Sequence, residues 1–126
     1  MKRNIINDFE DLVVWQKSHQ LVIEIYKITK SFPKSEEFGL SSQLRRSAAS
    51  VPTNIAEGLG SNSRTNFKRM LFIARGSLVE TRYHLILARD VGYISKGTYQ
   101  CLKEKYDEIG RMLNALINSL DKKNSE

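Results

Sequence analysis

Leu40-Ser-Ser-Gln-Leu-Arg-Arg-Ser-Ala-Ala-Ser-Val-Pro-Thr-Asn-Ile-Ala-Glu-Gly-Leu-Gly60 is a helical pattern that contains the residue least suited to a helix. Its apolar positions Leu40, Leu44, Ala48, Val51 and Ile55 recur at intervals of four, four, three and four. They therefore share one face of a helix that continues through Pro52. An interior proline removes a backbone hydrogen bond and costs about 3 kcal/mol, so packing on both sides has to hold a kinked helix together. The competing reading is a helix that stops at Ser50. Ser41, Ser42, Ser47, Ala48, Ala49 and Ser50 make one face small enough for another backbone to come close. Gly58 and Gly60 supply the stop, which gives a helix over about 40–57.

Three more helices flank this one. Asn7-Asp8-Phe9-Glu10-Asp11 offers caps and first-turn acids, and Val14, Trp15, Ser18, Val22, Ile25, Thr29 and Phe32 follow as a stripe widened by Leu12, Leu21, Tyr26 and Ile28. This predicts a helix over about 9–32, ended by Pro33. Ser35 or Ser41 is the expected start of the second helix. Ser63 caps a third over about 64–91, and Gly92-Tyr93-Ile94-Ser95 turns into a fourth over about 96–120. There Tyr99, Leu102, Tyr106, Ile109, Leu113, Leu116 and Leu120 form the core stripe, with Lys103, Glu104, Asp107, Glu108 and Arg111 facing water. A polar tail from Asp121 to Glu126 is expected to fray. The fold class is all-α: one antiparallel up-down four-helix bundle with a proline-kinked second helix, filling a 126-residue chain as a single domain.

The third helix carries the most information. Phe67, Ala74, Thr81 and Ala88 form one column beside Leu71, Leu78 and Leu85, with Met70, Ser77, His84 and Val91 on the other flank; together they form the intramolecular core. A second apolar column, Phe72, Val79, Ile86 and Tyr93, lies well round the helix next to Ile73 and Leu87. A helix apolar on two sides must be buried on two sides, which predicts an oligomer with Phe72, Ile73, Val79, Glu80, Ile86 and Leu87 at its interface. Inside such an interface Glu80 demands a cationic partner.

Lys68, Arg75, Arg82 and Arg89 run between those columns at every seventh position, about 10.5 Å apart along the axis and drifting only about 20° per step. The stripe suits a nucleic-acid backbone, the acids of a neighbouring subunit, or a solvated edge, although flanking hydrophobics speak against plain solvation. Residues 40 to 92 hold eight basic and three acidic side chains, against six and six before them and six and five after. Five of the six excess positive charges therefore lie in the middle. Seven of the eight are arginine, suited to forked contacts with phosphate or carboxylate. A polyanion is the natural partner, and the candidate nucleic-acid-binding residues are Arg45, Arg46, Arg64, Lys68, Arg69, Arg75, Arg82 and Arg89.

Hydrophobic residues at 40% and charged residues at 27% are ordinary for a globular protein, so disorder is expected only at the ends. No apolar run approaches the roughly 18 residues of a membrane span, and Met1-Lys2-Arg3-Asn4 does not lead into a signal-peptide core. A cytoplasmic location with no membrane partner is the expectation. Cys101 stands alone, so no intrachain disulfide forms and a reducing compartment fits; as a reactive thiol it lacks a His or Arg neighbour in sequence to lower its pKa. His19 and His84 lack companions at metal-ligand spacing, and no nucleophile elbow or Cys-x-x-Cys occurs. Gly58-Leu-Gly-Ser-Asn-Ser63 follows no strand and lacks the lysine of a phosphate loop, so it reads as a helix-to-helix turn. Glu57, Glu80 and Asp90 are more simply partners for nearby arginines than a catalytic carboxylate group. No enzyme activity, catalytic residue, metal, cofactor or small-molecule substrate is expected.

Asp11-Leu-Val-Val-Trp-Gln-Lys17, Leu44-Arg-Arg-Ser-Ala48 through Val51-Pro-Thr-Asn-Ile-Ala-Glu-Gly58, Ile73-Ala-Arg-Gly-Ser-Leu-Val-Glu-Thr81 and Arg111-Met-Leu-Asn-Ala-Leu-Ile117 together resemble the bacterial 23S rRNA intervening-sequence proteins, sometimes labelled 23S ribosomal proteins. The resemblance spans about 8–120, and the proline-containing segment is its most specific part. It implies an up-down bundle that assembles as a homopentamer, is often encoded within or near insertions in large ribosomal RNA genes, and has no established activity. It also implies kinship with the basic accessory proteins of diversity-generating retroelements, pentamers that contact nucleic acid and a reverse transcriptase. The family fixes no catalytic residue. Asn54, Glu57 and Glu80 match family positions, which implies structural roles as buried polar groups bonding across the kink or the subunit interface, and Pro52 is the structural residue of the kink itself.

The expected function is a non-enzymatic, homo-oligomeric RNA-binding or ribonucleoprotein-associated protein. The alternative is an interaction scaffold, or an accessory subunit for a partner enzyme such as a reverse transcriptase, whose arginines pair with acids.

Overall fold

The computed structural model describes residues 8–124, with side chains described from 8 to 121. The expectations placed on Met1–Asn7 and on the last two residues lie outside that range. Helices α1 (Val13–Thr29), α2 (Leu40–Gly60), α3 (Arg64–Asp90) and α4 (Lys96–Asn124) form a four-membered ring, with short 3-10 turns at Phe9–Asp11 and Lys34–Glu36 and no strand among the described residues. Each helix packs on its two ring neighbours, and among the described residues the backbones of the diagonal pairs do not approach closely, their side chains meeting in one shared core.

The cross-links between neighbours fix their directions. Thr81 Oγ1 donates to Ser47 Oγ at 2.8 Å and the Ser50 and Ser77 hydroxyls share a bond of 2.8 Å, so α3 descends as α2 rises. Lys17 meets Glu108 at 3.5 Å and Lys105 meets Glu24 at 3.1 Å, which sets α4 against α1. Arg45 Nε donates to Thr29 Oγ1 at 2.8 Å, joining the start of α2 to the end of α1. The bundle is up-down and antiparallel throughout.

α2 continues through Pro52, with Leu44, Ala48, Val51 and Ile55 fully buried along the stripe read from the sequence. Asn54 Nδ2 reaches back to the carbonyl and hydroxyl of Ser50 at 2.8 and 2.9 Å. That brace spans the proline, and Ser50 carries it on to α3 through Ser77. The small face of α2 is the one that meets α3. Gly58 is buried there, and a Cβ at this position would lie 2.9 Å from both Met70 Cβ and Phe67 Cδ1. It is therefore a close-approach glycine, not the expected stop, and the helix runs on to Gly60.

Several local expectations are corrected. The first helix breaks: Asp8 caps a 3-10 turn by accepting from Glu10 N at 3.1 Å, and Leu12 is extended at φ −76°, ψ 124°. The extended residue lets Phe9 pack edge-on against Trp15, ring centroids 5.0 Å apart. At its other end α1 stops at Thr29, because Ser31 and Phe32 N–H close short turns onto Ile28 and Thr29 carbonyls before Pro33 is reached. Neither Ser35 nor Ser41 starts α2. Gly39 is its N-cap, and Glu36 Oε1 accepts from Leu40 N at 3.0 Å. Tyr26 and Val91, assigned to the core, are exposed, whereas Ile117 is buried and Leu116 and Leu120 only partly so. Asp107, expected in water, is half-buried, and α4 continues four residues past the expected end at position 120. Ser63 caps α3 as expected, accepting from Asn66 N at 3.1 Å.

Candidate subunit and nucleic-acid interfaces

The basic stripe of α3 meets its partners inside its own subunit. Lys68 pairs with Asp121. Arg75 Nη1 donates to Asn114 Oδ1 at 2.7 Å, and Arg82 Nη1 lies 3.4 Å from Asp107 Oδ1. Each step of seven up α3 is matched by a step of seven down α4, as two antiparallel helices of equal pitch require. Arg89 completes the ladder differently: its guanidinium lies over the Tyr99 ring, 4.5 Å from the centroid, and Nε donates to Asp90 at 2.8 Å. Lys103 also donates to Asp107, at 2.9 Å. That bond, with the charge of Arg82, holds the Asp107 carboxyl below its ordinary pKa. This engagement of the stripe by the next helix is a fourth arrangement, absent from the three read in the sequence. The signal was present, since Asp107, Asn114 and Asp121 are themselves seven apart.

The remaining candidate cations are differently placed. Arg46 and Arg64 are exposed and make no hydrogen bond or ion pair among the described residues. Arg69 forks onto Asn66 Oδ1 at 3.2 and 2.9 Å. Arg45 is half-buried, tied by Nε to Thr29 and stacked 4.6 Å from the centroid of Tyr26. The eight residues thus do not form one surface: four line the α3–α4 groove, two begin α3 and two lie near the start of α2.

The second apolar column of α3 divides. Ile86, Leu87 and Tyr93 are half-buried against the chain's own core. Phe72, Ile73, Val79 and Tyr83 stay outside, at 42%, 41%, 61% and 58% exposure. Gly76 sits among these four on the outward face, and a Cβ there would meet nothing within 4 Å. Glu80, on the same surface, lies 3.2 Å from His84 Nε2 of the next turn. Of the implied structural set, Pro52 is buried and Asn54 is half-buried and bonded. Glu57 departs from the expectation of a buried polar group: it is exposed on the rim of the α1–α2 groove, with no hydrogen bond among the described residues. Glu57, Glu80 and Asp90 do not converge, and the described residues hold no group of three His, Cys, Asp or Glu able to ligate a metal.

An all-helical bundle with an internally closed cationic ladder and an uncovered apolar face is the class of protein defined here. The chain belongs to the 23S rRNA-intervening sequence protein family, whose model matches residues 10–115. A crystal structure of a protein of unknown function from the S23 ribosomal protein family of Bacteroides thetaiotaomicron is similar to it at 31% identity and a TM-score of 0.78, over 84% of this chain and 96% of that one. No curated protein matches the chain.

Proposed function

We propose that the protein is a non-enzymatic, homo-oligomeric RNA-binding component linked to ribosomal RNA, assembling through the outer face of α3 as the pentamer that the family resemblance implies. The observation that carries the assembly is the uncovered group Phe72, Ile73, Val79 and Tyr83 around Gly76. Fully burying one large apolar side chain is worth about 1.5–3 kcal/mol, so a second copy that covers this row gains substantially. A mid-helix glycine costs about 0.5–1 kcal/mol relative to alanine. No atom of its own subunit lies within 4 Å of a Cβ at Gly76, so packing within the subunit does not call for a glycine, and a neighbouring helix brought close across the row would.

The RNA part rests on the net charge of +6 and on cations that the ladder leaves available, chiefly Arg46 and Arg64. Affinity of this kind comes from phosphates, with little sequence preference. If about four residues contact single-stranded phosphate, log affinity against log salt has a slope near −3.

Sedimentation and filter binding test both parts. Val79→Glu is expected to sediment as a helical monomer, and Arg46→Glu with Arg64→Glu is expected to stay assembled and lose RNA. A monomeric wild type overturns the assembly; a flat salt response overturns the RNA role. The scaffold or accessory-subunit reading is favoured by Phe38, 91% exposed in the α1–α2 connection. It predicts an intact oligomer that ignores RNA at every salt concentration.

A further inference from the structure

We propose that association of subunits through α3 takes up a proton at the Glu80–His84 pair, so that assembly is tighter at pH 6 than at pH 8. This inference rests on the assembly proposed above and concerns its regulation. Glu80 stands on the outer face of α3 among Ile73, Val79 and Tyr83, with its side chain 55% exposed. A second copy laid over that apolar row takes the carboxylate out of water, which is strongly unfavourable unless a positive charge goes with it. No Lys or Arg pairs with Glu80 among the described residues. Lys68, Arg75, Arg82 and Arg89 are engaged on the α4 side of the helix or at its end. Arg69 forks onto Asn66, eleven positions before Glu80 and so about 16 Å away along the axis.

The group already at hand is His84, whose Nε2 lies 3.2 Å from Glu80 Oε2. In the neutral ring the one proton sits on Nε2 and donates to the carboxylate, so the pair carries a full negative charge. Protonated, the ring and the carboxylate form a neutral ion pair that an apolar neighbour covers at far lower cost. The added hydrogen goes to Nδ1, which is buried and has no partner. His84 is only 7% exposed and lines a groove of about 280 Å³ between the start of α2 and the end of α3. On the α2 wall of that groove stand Leu40 and Gln43, which carry no charge, and the Gln43 amide makes no side-chain hydrogen bond among the described residues. From the α1–α2 connection comes Glu36, whose oxygens accept from Leu40 N and the Tyr93 hydroxyl. Tyr83, Leu87 and Val91 complete the α3 wall. The groove thus offers an acceptor for a second imidazole N–H and sets no cation against it.

Sedimentation of the full chain at pH 6 and pH 8, at one ionic strength, reads the linkage, because histidines ordinarily change charge within this range. Uptake of one proton per contact tightens association by at most about tenfold per pH unit, and wild type is expected to associate about tenfold more tightly at pH 6. Glu80→Gln removes the charge that needs compensation. It is expected to associate equally at both pH values and more tightly than wild type at pH 8, a gain that loss of a merely structural contact would not give. His19→Gln, which changes the other histidine of the chain, is expected to keep the wild-type response, and helical content is the folding control throughout. Wild type that associates equally at both pH values, or Glu80→Gln that keeps the full pH response, overturns this inference and leaves the assembly standing. Wild type that is monomeric at both overturns the assembly reading and this inference with it.

Discussion

Gly58 and Gly76 are both helical glycines, and the space around them gives opposite expectations for the same change. At Gly58 the nearest side-chain atoms already stand 2.9 Å from where a Cβ would go, and the Phe67 backbone stands at 3.3 Å. Gly58→Ala is therefore expected to destabilise the subunit by about 1–3 kcal/mol, as overpacking of a close contact does, read as a lower urea midpoint. Glu36 sets a pH dependence at the same scale. Its pKa is lowered first by the Leu40 N–H and then by the Tyr93 hydroxyl. A carboxyl lowered in the folded state contributes stability above its unfolded pKa of about 4.3 and loses it as pH falls through the lower folded value. Urea midpoints of wild type and Glu36→Ala should therefore differ at neutral pH and converge as pH falls below the unfolded pKa of about 4.3 and through the lower folded one.

The pairing of α3 with α4 is where the sequence was least transparent. Seven-residue columns placed the buried face of α3 well, since a period of 3.6 locates a core without knowledge of its partners. They could not say which polar column of α4 lies opposite Lys68, Arg75 and Arg82, because that depends on how the ring of helices closes. The break at Leu12 was hidden for a related reason: apolar spacing continues across it, and only Phe9 packing on Trp15 calls for an extended residue. The eight cations read as one surface because arginine spacing on one helix says nothing about acids on the next. A variant carrying Arg75→Glu and Arg82→Glu would thus report first on the subunit's own stability, since both side chains bond to α4. For a single rung, Arg82→Glu should lower stability by about 1 kcal/mol, and adding Asp107→Arg should recover part of it, the coupling expected of a half-exposed pair. A double-mutant cycle by urea denaturation reads the coupling.

At the scale of the whole molecule, stability and assembly can be separated by one substitution. Gly76→Ala meets no atom within 4 Å in its own subunit, and alanine is favoured over glycine inside a helix by about 0.5–1 kcal/mol. The isolated subunit should gain about that much, while an oligomer built on close approach at α3 should weaken; thermal unfolding at low concentration and sedimentation at high concentration measure the two. The antiparallel ring also gives the bundle two unlike poles. Phe9 and the close of α4 lie beside the α2–α3 turn, as the Glu57 groove and the Lys68–Asp121 rung show, whereas Arg45, Ser41 and the Gly92 turn crown the other pole. Labels carried at Asn62, in the α2–α3 turn, and at Lys96, where α4 begins, would therefore sit at opposite poles, so energy transfer between them would report whether the subunit keeps its length on assembly.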